Sequence, residues 1–457
     1  MKKHKVIVIG GGAAGLYTAA GLARFGVDVA LIDSASEMGG DCLHTGCVPS
    51  KTLLHWASKG LTWDATRRKI SETIASLQEH DSDVRFRELG VTLYKGKAVF
   101  QDETTIRIDG QMLTADKFVL ATGARPVVPA IPGLKSDMYD THETLFTRPS
   151  VPKSMLIIGG GAVGLEIGQA LAKMGTDVTL VERHEQFLPA FDRDVAEIAH
   201  QRLSQDTTIL LRTSVTQVEV HDEGKIKVTL NGDQELIVDR LFIATGRKPD
   251  IDALGWDKAG IEITQDHTIK VNAYLQTTNP RVYAAGDCIG GPMLTHAAGE
   301  EARTVITNLV FGRLKKMSYR GMAMVVYTDP EIYQLVTIDD QVEQPAYTYT
   351  ARGSDVDRFV IDNERDANVK ITINKKGCIL QAQAVGTSAS SYMQLVAQAV
   401  ARKESLSIFS SSHYPYPLKS EILKTLANQY LLHKFESPLV QWLLNRWVRF
   451  RKLNGGR

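Results

Sequence analysis

Cysteine is scarce in this chain. There are four in 457 residues, too few for the disulfide framework of a secreted scaffold. Charge imbalance is missing too: 53 Lys+Arg against 52 Asp+Glu leave a formal net charge of +1, so no global basic field marks a nucleic-acid binder. No uninterrupted apolar run approaches the ~18 residues of a membrane span. Disorder is excluded as well, because hydrophobic residues make up 43% of the chain. What remains is a globular chain of about three domains at ~150 residues each. Lys2, Lys3, His4 and Lys5 before Val6-Ile7-Val8-Ile9 imitate the basic start of a signal peptide. A short parallel strand running into a glycine turn explains the same residues and also Gly10, Gly12 and Gly15. That reading is preferred, and the chain is expected to be cytoplasmic.

The sequence repeats itself. Val6–Ile9 leads into Gly10-Gly11-Gly12-Ala13-Ala14-Gly15, a helix to about Arg24, and a second strand, Val27–Ile32, ending on Asp33. Met155–Ile158 leads into Gly159-Gly160-Gly161-Ala162-Val163-Gly164, a helix to about Met174, and Asp177–Val181 ending on Glu182. First glycine and closing acid are 23 positions apart in both. In a dinucleotide-binding fold the first glycine permits the tight turn and the second lets backbone approach a pyrophosphate. The third lets helix pack on strand, and the acid accepts ribose hydroxyls. One such motif is weak; two in matched frames are strong. Phe118–Leu120 and Leu241–Ile243 both run into Ala-Thr-Gly, at Thr122-Gly123 and Thr245-Gly246, and Val282–Ala285 runs into Gly286-Asp287. Ligands bind at such strand ends, so two nucleotides are implied.

The stretch 146–153, with Pro149 and Pro152, reads as the junction between the halves. After about Tyr319, strand-like runs at Ala367–Ile373 and Ile379–Val385 precede a helical Ser391–Arg402, without fingerprints. The expected class is therefore α/β: two Rossmann-like dinucleotide-binding domains plus a C-terminal α+β domain. The expected boundaries are 1–150, 151–270, a return to the first domain over 271–320, then 321–435, and a tail over 436–457.

Gly39-Gly40-Asp41-Cys42-Leu43-His44-Thr45-Gly46-Cys47-Val48-Pro49-Ser50-Lys51 is the most informative segment. Residues five apart on an ideal helix have Cα atoms roughly 8–9 Å apart, beyond the ~7 Å limit for a disulfide. A bridge would need a distorted turn, which Gly46 and Pro49 favour. The spacing also fits zinc ligands, with His44 between and His55 downstream, and it fits two inert thiols. No second cysteine pair follows, since Cys288 and Cys378 stand alone, and no metal is assigned.

These motifs, in this order, resemble the FAD-dependent pyridine nucleotide-disulfide oxidoreductases, the group of dihydrolipoamide dehydrogenase, glutathione reductase and mercuric reductase. Within it the chain is most similar to the bacterial mercuric-reductase-like branch. The resemblance implies FAD in the half beginning at Gly10 and NAD(P)H in the half beginning at Gly159. Electrons would pass through flavin to a Cys42–Cys47 redox disulfide, with Cys47 proximal to the flavin and Cys42 the interchange thiol. It implies Lys51 beside the flavin, paired with Glu166. Asp33 would hold the adenosine ribose and Asp287 the ribityl chain. Thr295 and His296 would open a helix facing the flavin ring. Gly40, Ala98, Thr122 and Gly123 join the FAD site; Gly161, Gly164 and Gly246 join the nucleotide site. Glu182 favours NAD(H) over NADP(H), because a carboxylate repels a 2′-phosphate, although Arg183 and His184 offer counter-charge.

The chain also departs from those relatives. Where disulfide-reducing members carry His-Pro-Thr-x-x-Glu, it has Tyr416-Pro417-Leu418-Lys419-Ser420-Glu421. Tyrosine, at pKa ~10, is a poor base at neutral pH, and His413 is an alternative. Efficient reduction of a small disulfide is thereby in doubt. Mercuric ion reduction is in doubt too, because no cysteine follows Cys378. The resemblance implies a C2 homodimer formed by the C-terminal domain, with an active site shared between subunits. Leu439, Trp442, Leu443, Trp447 and Phe450 fall mainly on one face of a final helix, and from Gln441 to Arg457 there are five basic residues and no acid. Such a helix suits either an anionic membrane surface or packing on its own dimer. The leading expectation is an enzyme passing electrons to a disulfide, a thiol-bound metal ion or a similar acceptor. The alternatives are a membrane-associated quinone-type diaphorase and a non-catalytic redox sensor.

Overall fold

Val6, Ile7, Val8 and Ile9 are all buried, as a β-branched run must be when both faces of its sheet are covered. Val6 and Val8 pack with Leu16, Ala19 and Leu22 of the following helix, while Ile7 and Ile9 pack with Phe100, Phe118 and Val282 on the opposite face. The computed structural model describes residues 2–336 and 344–453. Contacts divide the chain into one unit of Met1–Phe187 with Ser204–Ser318, and a second of Leu188–Leu203 with Tyr319–Arg457.

In the first unit the strand Lys2–Ile9 is central to a seven-stranded sheet. Val29–Asp33 and Gln111–Leu120 flank it in parallel, and Thr92–Lys95 and Val282–Ala284 extend the parallel set outward. Thr105–Ile108 and Ala98–Phe100 complete the sheet as an antiparallel meander. The second sheet is wholly parallel, in the order Thr208–Leu211, Asp177–Glu182, Ser154–Ile158, Arg240–Ile243, Tyr139–Asp140. The helices after the two fingerprints are Ala13–Arg24 and Ala162–Lys173. A short antiparallel pair, Ala124–Pro126 with Arg247–Pro249, joins the chain just beyond one Ala-Thr-Gly to the chain just beyond the other. This is the α/β duplication expected from the repeat.

The second unit is a five-stranded antiparallel sheet in the order Ala323–Val326, Glu331–Val336, Ile379–Gly386, Asn368–Ile373, Tyr347–Arg352. Helices Ala389–Ala401 and Glu421–Phe435 contribute Met393, Val396, Leu423 and Leu426 to its core. The helix Arg193–Leu203 belongs here although it interrupts the first unit in sequence. Ion pairs of Lys370 with Asp192 (2.7 Å) and Asp194 (2.9 Å) hold that excursion. Ser437 precedes the last helix, Pro438–Leu453, along which Leu439, Trp442, Leu443, Trp447 and Phe450 are all exposed. The tail residues 454–457, including Arg457, lie outside the described residues, as does the side chain of Lys452. Among the described residues no helix is long and apolar enough to cross a membrane.

Candidate active site

The two glycine turns are sterically obligatory. Gly10 has φ +110°, and a Cβ on Gly15 would stand 1.8 Å from the Gly10 carbonyl oxygen. In the repeat Gly159 has φ +115°, and a Cβ on Gly164 would stand 2.1 Å from the Gly159 oxygen. Gly12 and Gly161 directly precede the two helices. Each turn meets its acid. A Cβ on Gly11 would collide with Asp33 Oδ2, and Glu182 Oε2 accepts the Gly160 N–H at 2.8 Å. The other oxygen of Glu182 accepts the His184 N–H at 3.0 Å and lies 2.6 Å from its ring Nδ1. Burial opposes ionisation of Glu182, but those donors outweigh it and hold the carboxyl below its ordinary range.

The Gly39-Gly40 turn presses the cysteine segment onto the first fingerprint. Gly40 has φ +60°, and a Cβ there would stand 2.6 Å from Gly12 Cα. Helix Gly40–His44 then breaks, and Cys47–Ser58 begins anew. At the break the Asp41 carbonyl accepts from both Thr45 N–H (3.0 Å) and Gly46 N–H (2.5 Å). This is a distorted turn of the kind that a bridge between Cys42 and Cys47 would need. Cys42 and Cys47 are free thiols that converge on Thr295, whose hydroxyl donates to Cys42 Sγ at 3.2 Å and lies 3.5 Å from Cys47 Sγ. The hydrogen bond from Cys42, reinforced by Thr295 and the Lys51 charge, lowers the Cys47 thiol to about 5 against the cost of its burial. The same bond and its own burial push Cys42 upward.

Lys51, one turn on from Cys47, donates from Nζ to Glu166 Oε2 at 2.7 Å. Glu166 is buried in the helix after the second fingerprint, so the pair ties the cysteine helix to the other half. A further charge network went unread in the sequence. Arg247 Nη2 lies 2.7 Å from Asp41 Oδ2 and 2.8 Å from Asp287 Oδ2, and His142 Nε2 lies 3.2 Å from the same Asp41 oxygen. Burial raises the Asp287 carboxyl above its usual range despite Arg247. Asp41 is also opposed by burial, yet His142, Thr45 and Arg247 bring it below that range. Asp41, His142 and Glu143 bring ligand-type atoms within 4.8 Å of one another, but the Arg247 guanidinium already supplies the cation at Asp41. One sequence signal was available: the first Ala-Thr-Gly is followed by Ala124, the second by Arg247.

Other expected site residues lie where strands end or helices begin. Thr122-Gly123 follows Gln111–Leu120, Gly246 precedes Arg247–Pro249, and Ala98 is buried at the start of its strand. Exposed His296 is the second residue of the helix Thr295–Phe311. Cys288 is fully buried, which pushes its thiol up to about 12; its environment is that of an inert core residue. Tyr416 and Glu421 belong to the second unit and line a cleft of about 180 Å³ with Asp355, Asp357 and Lys424. Their side chains have other partners: the Tyr416 hydroxyl donates to Asp357 Oδ2 at 2.8 Å, and Glu421 Oε2 accepts the Leu418 N–H at 3.0 Å. His413 is exposed on the same connection.

Comparison with known proteins agrees with this geometry. A family profile described as pyridine nucleotide-disulphide oxidoreductase matches residues 4–302. The chain is 30% identical over 449 residues to a mercuric reductase of Lysinibacillus sphaericus, covering 93% of this chain and 82% of that protein. It is 29% identical to a dihydrolipoyl dehydrogenase of Buchnera aphidicola (subsp. Acyrthosiphon pisum), covering 87% and 89%. Among solved structures, a Cu(II) complex of the HOCl-induced flavoprotein disulfide reductase RclA from Escherichia coli superposes with a TM-score of 0.86. That match is 26% identical and covers 94% of this chain and all of the other. The family binds FAD, uses NAD(P) and is typically homodimeric. With two dinucleotide folds and a cysteine pair in place, the chain belongs to the pyridine nucleotide-disulphide oxidoreductases and is a flavoprotein enzyme of that family.

Proposed function

We propose that the chain is an NADH-dependent flavoprotein reductase whose acceptor is a thiophilic metal ion held between Cys42 and Cys47. The observation that carries this reading is the pair of thiols sharing the Thr295 hydroxyl, one of them already inclined to ionise. Soft ions bind thiolates and release protons on doing so. FAD fits the first half, where Gly10, Gly12 and Gly15 cradle a pyrophosphate and Asp33 meets a ribose. Gly40, Ala98, Thr122, Gly123 and Asp287 line the remainder, and the buried Arg247 Nε finds no partner among the described residues. When bound, FAD supplies two-electron transfer between the nicotinamide nucleotide and the cysteine pair. Lys51 holds a fixed positive charge beside that exchange because Glu166 anchors it, and the helix opened by Thr295 and His296 directs backbone N–H groups toward the same place. Gly159, Gly161, Gly164 and Gly246 receive the nicotinamide nucleotide. Glu182 selects NADH over NADPH, because its buried carboxylate would repel a 2′-phosphate.

Tyr416 argues for a metal ion over a disulfide. Its bond to Asp357 raises the Tyr416 phenol above its ordinary range, making it a still poorer proton donor. Reducing a disulfide leaves a thiolate that must be protonated by a nearby acid, whereas a metal ion needs no such proton donor. With copper the balanced reaction is NADH + 2 Cu²⁺ → NAD⁺ + H⁺ + 2 Cu⁺. A relative named a mercuric reductase and a neighbour solved as a Cu(II) complex make metal ions the class to try first. In this reading 1–150 and 271–320 carry FAD, 151–270 carries NADH, and 321–435 pairs two copies about a C2 axis, presenting Tyr416 and Glu421 to the partner's cysteines. The protein is cytoplasmic, and the basic, tryptophan-bearing helix Pro438–Leu453 rests on an anionic membrane face. Failure to sediment with phosphatidylglycerol vesicles would refute that contact. For the activity, NADH oxidation is measured with Cu(II), glutathione disulfide and lipoamide. Cu(II) turnover should vanish in Cys42→Ser, and Tyr416→His should raise disulfide turnover about 100-fold, the low end of general acid–base catalysis. Full turnover in Cys42→Ser, or disulfides outpacing Cu(II) in the native protein, would overturn the reading.

A further inference from the structure

The turn joining the two cysteines is fastened at a residue that the proposed chemistry leaves unused. Asp41 takes the Thr45 and Gly46 N–H groups on its carbonyl and the Thr45 hydroxyl on Oδ1 at 2.7 Å. The Thr45 N–H closes the last turn of the helix Gly40–His44 in the ordinary way, whereas the Gly46 N–H, reaching five residues back to the same carbonyl, marks the break before Cys47–Ser58, and across that break both sulfurs face the Thr295 hydroxyl. The second carboxylate oxygen is held from far away in sequence. Arg247 Nη2 donates to it at 2.7 Å, and the same nitrogen reaches Asp287 at 2.8 Å. Arg247 is well placed to act as a fixed point, because it opens a strand paired with Ala124–Pro126 and its backbone is therefore tied to both halves of the first unit. One guanidinium thus lies between two carboxylates, one beside Cys42 and one proposed to face the flavin. Without it two like charges would face each other in a half-buried site.

We propose that Asp41 and Arg247 are positioning residues that set how readily Cys42 and Cys47 close into a disulfide, by clamping the Thr45-Gly46 turn and tying it to Asp287. The proposal rests on the reading that the pair cycles between dithiol and disulfide, and it is independent of which acceptor ends the cycle. The step to be measured balances with glutathione as oxidant: Cys42–SH + Cys47–SH + GSSG → Cys42–S–S–Cys47 + 2 GSH. The clamp acts on the closure equilibrium because ring formation needs the turn held in one geometry, whereas the open dithiol tolerates many.

The test uses flavin-loaded protein equilibrated in glutathione redox buffers, acid-quenched and alkylated, with the closed fraction read by mass spectrometry. Asp41→Asn, isosteric and able to keep the Thr45 contact, should lower the closure constant about tenfold, the size expected of one charge-assisted hydrogen bond. Arg247→Met should lower it at least as much, and the double variant no further than Arg247→Met alone, since both cut one linkage. Arg247→Lys, which keeps the cation, should stay within about threefold of the native value. Native closure constants in both Asp41→Asn and Arg247→Met, or additive losses in the double variant, would overturn the proposal. Turnover surviving in Cys42→Ser would instead sink the proposed activity and leave these constants unaffected.

Discussion

The sharpest consequence of the Cys42–Cys47–Thr295 arrangement is a pH profile. Cys47 is lowered to about 5, chiefly by the hydrogen bond from Cys42, and Cys42 is raised by the same bond. The first proton to leave the reduced pair therefore leaves at about 5, and it should be assigned to the pair with the charge resting mainly on Cys47. In reduced, metal-free protein at pH 6 about 90% of Cys47 would be thiolate, against about 0.1% of a thiol titrating near 9. Thiolate fraction alone would make alkylation by iodoacetamide roughly 900-fold faster. A weaker base is also a weaker nucleophile, however, and with a Brønsted slope of about 0.45 a shift of four units costs roughly 60-fold. The net advantage at pH 6 is about 15-fold, it nearly vanishes at pH 7, and by pH 9 an ordinary thiol reacts about 30-fold faster. The signature is thus a rate that is flat above about pH 6 and falls as pH drops through 5, where an ordinary thiol gains tenfold per unit. Site-resolved mass spectrometry of pulse-alkylated protein reads it. Cys42→Ala removes the largest lowering interaction and should move the midpoint well up toward 9, with Thr295 and Lys51 retaining part of the shift. A Cys47 rate climbing tenfold per unit between pH 6 and 8, or a midpoint unmoved in Cys42→Ala, would refute the reasoning.

The architecture was legible where the constraint is local and steric. Gly10, Gly15, Gly159 and Gly164 can be read from sequence because a Cβ at each would collide with backbone within the same turn or the adjoining strand end. The parallel strands were legible because Val, Ile and Leu fill both faces of a covered sheet, though the second begins at Val29 rather than Val27. The break between the cysteines was legible only conditionally: five-residue spacing and helix geometry require it if the two sulfurs are to bridge. The helix Arg193–Leu203 was not legible as part of the second unit. Its amphipathic pattern says that one face is buried, not against what, and the deciding ion pairs to Lys370 span about 180 residues.

The site divides the same way. The Lys51–Glu166 pairing was available only through family resemblance, because nothing within either segment points across 115 positions. Thr295 was expected to open a helix, and its place between the sulfurs depends on how the Val282–Ala284 strand docks beside Gln111–Leu120. Asp41 lies within the cysteine motif itself. A lone acid in a short helix carries no signal until its counter-charge is known, and Arg247 is 206 residues away. Tyr416 shows the converse. The sequence revealed a departure from the family's histidine, but only the structure supplies Asp357, 59 positions off, as the partner that makes the phenol a still weaker proton donor.

Two further substitutions separate the halves and weigh the ion pair between them. Gly15→Ala forces a Cβ to 1.8 Å from the Gly10 oxygen and should yield protein purified without flavin. Gly164→Ala, at 2.1 Å from the Gly159 oxygen, should keep its yellow colour while the KM for NADH rises at least about tenfold, as expected when backbone is pushed off a pyrophosphate. Flavin loss in both, or in neither, would contradict the assignment of one nucleotide to each half. Lys51→Met removes the Lys51 cation from beside the Glu166 carboxylate, whose side chain is 4% exposed. Removing one partner of a fully buried pair costs about 3–5 kcal/mol, but the Lys51 end is 36% exposed, so about 2 kcal/mol is the better expectation. Adding Glu166→Gln neutralises that buried carboxylate and should restore most of the lost thermal stability while leaving NADH-driven turnover depressed. That split is the point of the experiment: stability follows the neutralisation of Glu166, whereas rate follows the positive charge that Lys51 holds beside the redox centre. If the double variant recovered both together, Lys51 would be a structural counter-ion and nothing more.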